Sequence, residues 1–146
     1  MSNLVNKFLN ENPSYHAGKT SENEIKNIEQ QLNLTFSKEF RGFVEKYGSA
    51  EFPGHTIYGT KELKYMGENK NVVDKTHFFK VTQKWPDIED WIVISDDGSG
   101  NPIGLLPNGE VWLSDHDSNF EKIKLASSFE DFLYKLLTDT LYEDDE

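Results

Sequence analysis

The chain has 146 residues, a formal net charge of −11 and no cysteine. This length predicts a single domain over residues 1–146, with its core at about 18–138 and an acidic tail at 143–146. The lack of cysteine excludes disulfides, thiolate metal ligands and cysteine nucleophiles. The negative charge argues against direct binding to nucleic acid and favours a basic partner, although solubility alone explains it equally well.

The distribution of apolar residues argues against a secreted protein and against a membrane protein. Residues 1–8 lack the charged start and apolar run of a secretory signal. No stretch approaches the roughly 18 apolar residues of a membrane helix. We therefore expect a cytoplasmic protein that binds no membrane, and the sequence leaves its oligomeric state open.

Three helices are predicted in the first third of the chain. An apolar repeat at residues 4–9 predicts the first. A capping box that starts at Ser21, followed by apolar residues at helical spacing, predicts the second over residues 22–32. Ser37 can cap the third, and Gly48 supplies a left-handed exit from it.

The middle of the chain is less regular. A short strand is predicted at residues 56–58. Residues 71–84 fit two patterns, because their apolar spacing suits a helix whereas residues 76–82 have the composition of a strand. Trp85-Pro86 ends either element, since the residue before proline is pushed out of the helical region.

From Trp91 onwards the pattern is an antiparallel meander followed by a helix. The apolar run at residues 91–94 is typical of a buried strand. Asn108-Gly109 predicts a hairpin, because both residues accept positive φ. A capping box at residues 127–130 begins the closing helix. The other predicted strands are at residues 103–106, 110–114 and 122–125. Helices, then a sheet, then a helix indicate the α+β class.

Two acidic segments are the candidates for chemistry. Asp96-Asp97-Gly98-Ser99-Gly100-Asn101 has the composition of a calcium loop, but glycines stand where an EF-hand needs oxygen ligands, so a tight turn is the better interpretation. Asp115-His116-Asp117 could act as a general-base group or half a metal site. The four histidines show no ligand spacing such as His-x-x-x-His. We predict no metal, no cofactor and no catalytic residue.

The same carboxylates suit a docking surface for a basic protein, with a merely solvated acidic face as the alternative. Clustered carboxylates accelerate association and discriminate against wrong partners. An aromatic anchor is expected at the centre of such an interface, and among Tyr58, Trp85, Trp91 and Trp112 we favour Trp85 as the exposed one and assign Trp91 to the core. The predicted partner-binding residues are Trp85, Glu89, Asp90, Asp96, Asp97, Asp115 and Asp117.

Several motifs, in order, resemble the SUKH superfamily over roughly residues 18–138. The first is Ser21-x-x-Glu24-Ile25-x-x-Ile28-Glu29-x-x-Leu32, then Phe36-x-x-Glu39-Phe40-x-x-Phe43-x-x-x-Tyr47-Gly48. The later ones are residues 91–101, 109–112, 115–117 and 126–133. Within the superfamily the chain resembles the YobK-type immunity proteins. Many members carry Leu-Pro where this chain has Thr35-Phe36, and Phe can still supply the apolar contact.

The resemblance implies an α+β fold with a central twisted, mostly antiparallel sheet of about six strands, flanked by N- and C-terminal helices. It favours the helical interpretation of residues 71–84. It also implies an immunity protein, not an enzyme, that neutralises a cognate toxin, often a nuclease, by occlusion. Two alternatives stay open: a regulatory protein-interaction scaffold, which the superfamily also includes, and a small hydrolase that uses the acidic loop, which needs a deep pocket with convergent carboxylates.

Overall fold

The computed structural model describes residues 2–63 and 71–143. Within these ranges the helices are α1 (Asn3–Glu11), α2 (Glu22–Leu32), α3 (Lys38–Tyr47), α4 (Val72–His77) and α5 (Phe129–Thr138), and a π-helical turn, Phe78–Thr82, continues α4. The strands are β1 (Ala50–Phe52), β2 (His55–Ile57), β3 (Ile92–Asp96), β4 (Pro102–Leu105), β5 (Val111–Asp115) and β6 (Glu121–Ala126). Residues 144–146 of the predicted acidic tail lie outside the described residues.

Serine caps set where four of the helices begin. Each hydroxyl accepts the backbone N–H three residues further on, which satisfies one of the amides that a helix start leaves unpaired. The capping serines are Ser2, Ser21, Ser37 and Ser128. The predicted helix at 22–32 is confirmed. The last cap lies one residue later than predicted, because the Asp131 carboxylate and not Glu130 reaches back, accepting the Ser127 N–H at 3.2 Å.

The six strands confirm the predicted α+β class, and they are divided between two antiparallel sheets. One is the hairpin β1-β2, and the other has the order β3-β4-β5-β6. The two sheets adjoin, since the Tyr58 N–H donates to the Ile94 carbonyl at 2.8 Å. After Tyr58 the chain leaves β3 and follows the end of α3, where the Thr60 N–H donates to the Gly48 carbonyl. Because the chain turns away from β3 here, the backbone hydrogen bonds between the two sheets do not continue past Tyr58.

The segment at residues 71–84 is helical, as the resemblance implied. Asn71 and Asp74 form a capping box at the start of α4. The Thr76 hydroxyl accepts the Val93 N–H at 2.9 Å, so α4 covers the edge of β3. The structure also contains β1, which the sequence pattern did not predict because three residues are too few to show an alternation.

The residues of the four-stranded sheet alternate between two different apolar layers. Ile92 and Ile94 face the main core, where α1, α2, α3 and α5 contribute their apolar sides. The ring of Phe129 meets the rings of Phe40 and Phe43 at centroid distances of 5.1 and 5.3 Å. These edge-to-face contacts lie in a fully buried layer.

A smaller layer, which we call the tryptophan cluster, covers the other face of the sheet. It consists of Phe79, Trp85, Ile88, Trp91, Val93, Leu106 and Trp112. Trp91 is buried, as expected. Its ring lies over Gly104 of β4, where a Cβ atom would overlap it, so the sheet needs glycine at that position.

Candidate functional site

The side chain of Asn101 holds together the acidic segments that follow β3 and end β5. Asn101 is 3% exposed. Its Nδ2 donates to the carboxylates of Asp97 and Asp115 at 2.8 and 3.4 Å. Its Oδ1 accepts the His116 backbone N–H at 3.0 Å. We call this group the acidic loop network, and its members are Asp96, Asp97, Asn101, Asp115, His116 and Asp117.

The orientation of the Asn101 amide decides the tautomer of His116. Because Nδ2 faces two carboxylates, Oδ1 faces the imidazole, and His116 Nδ1 lies 2.5 Å from it. We therefore assign a proton to Nδ1, which must donate to this oxygen. The other ring nitrogen lies 3.3 Å from the carboxylate of Asp117. The imidazole is thus held between an amide and a carboxylate at the rim of the loop.

The carboxylates of the network also shape their own turns. Asp97 accepts the backbone N–H groups of Ser99 and Asn101 at 2.8 and 3.1 Å. Asp115 accepts the N–H of Asp117 at 3.0 Å. The tight turn predicted at residues 97–101 is confirmed, and side chains that would otherwise be free to bind a metal are used to order the backbone.

Asp96 connects the network to the core. Its Oδ2 accepts the hydroxyl of Tyr58 at 2.8 Å, and Tyr58 is buried. Burial first, and then the negative charge of Asp96, raise the pKa of Tyr58 well above its ordinary value. The phenol therefore remains a donor. The ammonium of Lys75 lies 4.8 Å from the centroid of the same ring.

An open cavity of about 630 Å³ adjoins the network, and we call it the aromatic groove. One wall is aromatic, with Phe78, Phe79, Trp85 and Phe120. The polar part of the lining consists of Asp96, His116 and residues 98–100; Lys75 and Gln83 complete it. The groove thus lies between the π-helical turn and the acidic loops.

Trp85 is fixed at the centre of the aromatic wall. Its indole N–H donates to the Ser114 hydroxyl at 2.8 Å. Its ring meets those of Phe79, His116 and Phe120 edge to face, at centroid distances between 5.2 and 6.0 Å. Trp85, expected as the exposed tryptophan, is therefore partly buried, with its polar atom already paired.

The backbone around the groove adopts unusual conformations. Asn119 and Phe120 are consecutive residues with φ of 57° and 61°, and Lys84 and Asp87 flank Trp85 with φ of 51° and 60°. Positive φ is uncommon outside glycine, and for a bulky residue such as Phe it is an outlier. Such outliers and π-helical turns are frequent at functional sites. Here they present rings to the groove.

The whole middle of the chain matches one family. The model of the SMI1 / KNR4 family (SUKH-1) matches residues 19–135, which span α2 to α5 and both acidic segments. The chain belongs to the SUKH-1 family. This confirms the resemblance seen in the motifs, and the family is generally associated with immunity proteins of toxin systems. No curated protein matches the chain.

The fold of this SUKH-1 chain brings together five of the seven residues predicted to bind a partner. They are Trp85, Asp96, Asp97, Asp115 and Asp117. Glu89 and Asp90 lie before β3, at the opposite end of a strand roughly 16 Å long. Asp90 lines a separate cavity of about 430 Å³ with residues 33–37 and 105–107.

Sequence reasoning missed two aromatic residues of the groove and the role of Asn101. Phe78 and Phe120 are 41% and 36% exposed, yet they are not part of any polar motif. No sequence signal marks a phenylalanine that will adopt positive φ. The sequence assigns Asn101 only to a turn, because its partners Asp115 and His116 lie at the end of β5 and in the turn that follows it.

Asp115, His116 and Asp117 could together offer ligands to a metal ion. One donor atom from each lies within 4.8 Å of the others. However, Oδ1 of Asp115 already accepts from Asn101 and from the Asp117 N–H, so an ion on this oxygen would compete with hydrogen bonds that order the loop. Among the described residues of this SUKH-1 chain, no helix is long and apolar enough to cross a membrane.

Proposed function

We propose that this SUKH-1 protein is an immunity protein that binds a cognate bacterial toxin and neutralises it by occlusion, without catalysis. The observation that carries the proposal is the acidic loop network beside the aromatic groove. Asn101 orders its carboxylates, so little conformational entropy is lost when a partner docks. The family's association with toxin systems supports the same role.

The charge of the chain favours a basic toxin, such as a nuclease built to bind phosphates. The net charge is −11, and four aspartates are concentrated in the network. Complementary charge steers encounter and raises the association rate, most strongly at low salt. We include Glu89 and Asp90 as contacts at the margin of the interface, since they lie at the other end of β3.

The contacts of the carboxylates support binding over hydrolysis. Paired acid–base carboxylates must reach a substrate, but Asp97 and Asp115 are occupied by backbone amides and by Asn101. Asp96 accepts the Tyr58 hydroxyl on one oxygen, and Tyr58 cannot take up a proton as a base would because it is itself the donor. These groups act as fixed negative charges for docking.

Co-expression with the toxin encoded beside this gene tests the proposal. We expect cells to survive, and the two proteins to elute together in size-exclusion chromatography. Asp117→Lys reverses a charge whose side chain is 79% exposed, so it should slow association several-fold and flatten its salt dependence. Glu11→Lys, a matched reversal at the exposed end of α1, should change neither.

Each other outcome contradicts part of the proposal. Toxicity that persists despite a stable complex would favour the scaffold role. Survival without a complex contradicts occlusion. Equal effects of Asp117→Lys and Glu11→Lys would remove the acidic loop network from the interface.

A further inference from the structure

The lining of the aromatic groove has an apolar part and an acidic part. A long side chain with a positive charge can contact both. Phe78, Trp85 and Phe120 form an apolar wall, and Asp96 contributes a carboxylate to the same lining. A volume of about 630 Å³ is within the usual range of ligand pockets and has room for a long side chain and the loop that carries it. The choice of occupant rests on the proposed function and deepens it, because it names the group of the toxin that the groove takes.

The charge at the groove favours a cation. Asp97, Asp115 and Asp117 lie next to the lining residues Asp96 and His116 in the acidic loop network. Lys75 is the lysine of the lining, and its ammonium already lies against the Tyr58 ring. An occupant with positive charge therefore meets an excess of carboxylates, whereas an apolar occupant would desolvate Asp96 without compensation.

Asp96 retains the capacity to bind such a cation. Its Oδ1 accepts the Gly98 N–H at 3.2 Å and its Oδ2 accepts the Tyr58 hydroxyl. Each carboxylate oxygen can accept two hydrogen bonds, so one site remains on each as far as the described residues are concerned. A guanidinium can fill both at once, since its N–H groups form a planar fork that matches a carboxylate.

The aromatic wall distinguishes arginine from lysine. A guanidinium stacks on aromatic rings and is only weakly hydrated, whereas an ammonium keeps its water more strongly. The ring of Phe78 packs edge to face on Phe79, and that of Phe120 packs edge to face on Trp85, so both rings are packed without a partner. We propose that the aromatic groove receives an arginine side chain of the toxin, stacked on the aromatic wall and hydrogen-bonded to Asp96.

The test titrates the whole ¹⁵N-labelled protein with N-acetyl-arginine amide at physiological salt. We expect a saturable shift of the Trp85 indole N–H and of the amides of residues 96–101, with a dissociation constant of about 1 mM. The citrulline analogue has the same shape without the charge. It should bind at least about tenfold more weakly, as should the leucine analogue, and the lysine analogue should bind several-fold more weakly.

Two variants locate the site. Asp96→Asn keeps an acceptor for Tyr58 but removes the charge, and it should abolish saturation by the arginine probe. Glu11→Gln also removes one negative charge, at the exposed end of α1 and outside the lining of the groove, and it should leave the titration unchanged. The indole signal of Trp85 reports whether each variant keeps the groove folded.

Three results overturn the inference. They are equal binding of the citrulline or leucine analogue, equal binding of the lysine analogue, and the absence of a saturable shift at the groove. Protection by this chain in the co-expression experiment together with any of these means that the inference fails while the proposed function stands. Selective arginine binding without protection means that the inference stands while the proposed function fails.

Discussion

The two faces of the four-stranded sheet differ in how completely they are buried. On one face the main core is enclosed by helices, and the rings of Phe40, Phe43 and Phe129 are fully buried. On the other face a π-helical turn and one loop cover the tryptophan cluster, and Trp85 and Trp112 remain partly exposed. The comparison indicates that one face supplies most of the buried core, while the other carries the surface that we propose for a partner.

The choice of aromatic residue follows the same division. Phenylalanine has no polar atom and suits a layer without water. Tryptophan has an apolar body and a single N–H, so it suits a boundary where that N–H finds a partner. Trp85 donates to Ser114 and Trp112 donates to Glu110. The second face therefore stays ordered although water reaches its edge.

The largest expected effect tests the stability of the helix-facing side. Phe40→Ala removes a ring that contacts Phe36, Phe43 and Phe129, and it should lower the free energy of unfolding by about 3–5 kcal/mol. Phe78→Ala, a matched truncation in the aromatic groove, should change it by less than about 0.5 kcal/mol. Urea denaturation measures both values, and similar losses would contradict the division between the faces.

The next effect concerns the contact between the sheet and the tryptophan cluster. Gly104→Ala places a methyl group against the Trp91 ring, and this overpacking should cost about 1–3 kcal/mol and shift the near-ultraviolet dichroism of the tryptophans. Gly42→Ala in α3 meets open space and should stabilise the protein by about 0.5–1 kcal/mol. A neutral Gly104→Ala would show that the cluster is loosely packed.

A smaller loss is expected at the acidic loop network. Asn101→Ala leaves Asp97, Asp115 and His116 without the amide that joins them, which should cost about 1–3 kcal/mol and speed amide hydrogen exchange at residues 97–101. Asn23→Ala, at an exposed position of α2, serves as the control. Unchanged exchange would mean that the turn holds without Asn101.

The smallest effect is a pH dependence at the exposed margin of the tryptophan cluster. Hydrogen bonds from Lys124 first, then from Asn108 and Trp112, lower the pKa of Glu110 to about 2. Because the pKa of Glu110 is lower in the folded state than in the unfolded state, Glu110 stabilises the fold at pH values above its ordinary pKa. This contribution is lost as the pH falls from about 4.5 to 2. The stability difference between the wild type and Glu110→Gln should therefore shrink over that interval. A difference that does not vary with pH would contradict the contacts.

The features that could be predicted from the sequence are those that a few neighbouring residues decide. Ser21 and Ser37 cap helices because each hydroxyl reaches an amide three residues away. Gly109 turns the chain between β4 and β5 because it accepts a φ of 91°, whereas Asn108, for which positive φ was also expected, does not adopt it. The alternation of Ile92, Val93 and Ile94 allows burial on both faces. The family motifs also lie within such local stretches.

Tertiary structure decided what depends on residues far apart in the chain. The helical form of residues 71–84 depends on the edge of β3, to which Thr76 bonds. Asn101 becomes the centre of the acidic loop network only because β4 and β5 lie side by side. Phe120 keeps its positive φ against the ring of Trp85. Contacts of this kind join residues that are far apart in the chain, and at Phe120 packing also offsets local backbone strain, so no short stretch of sequence records them.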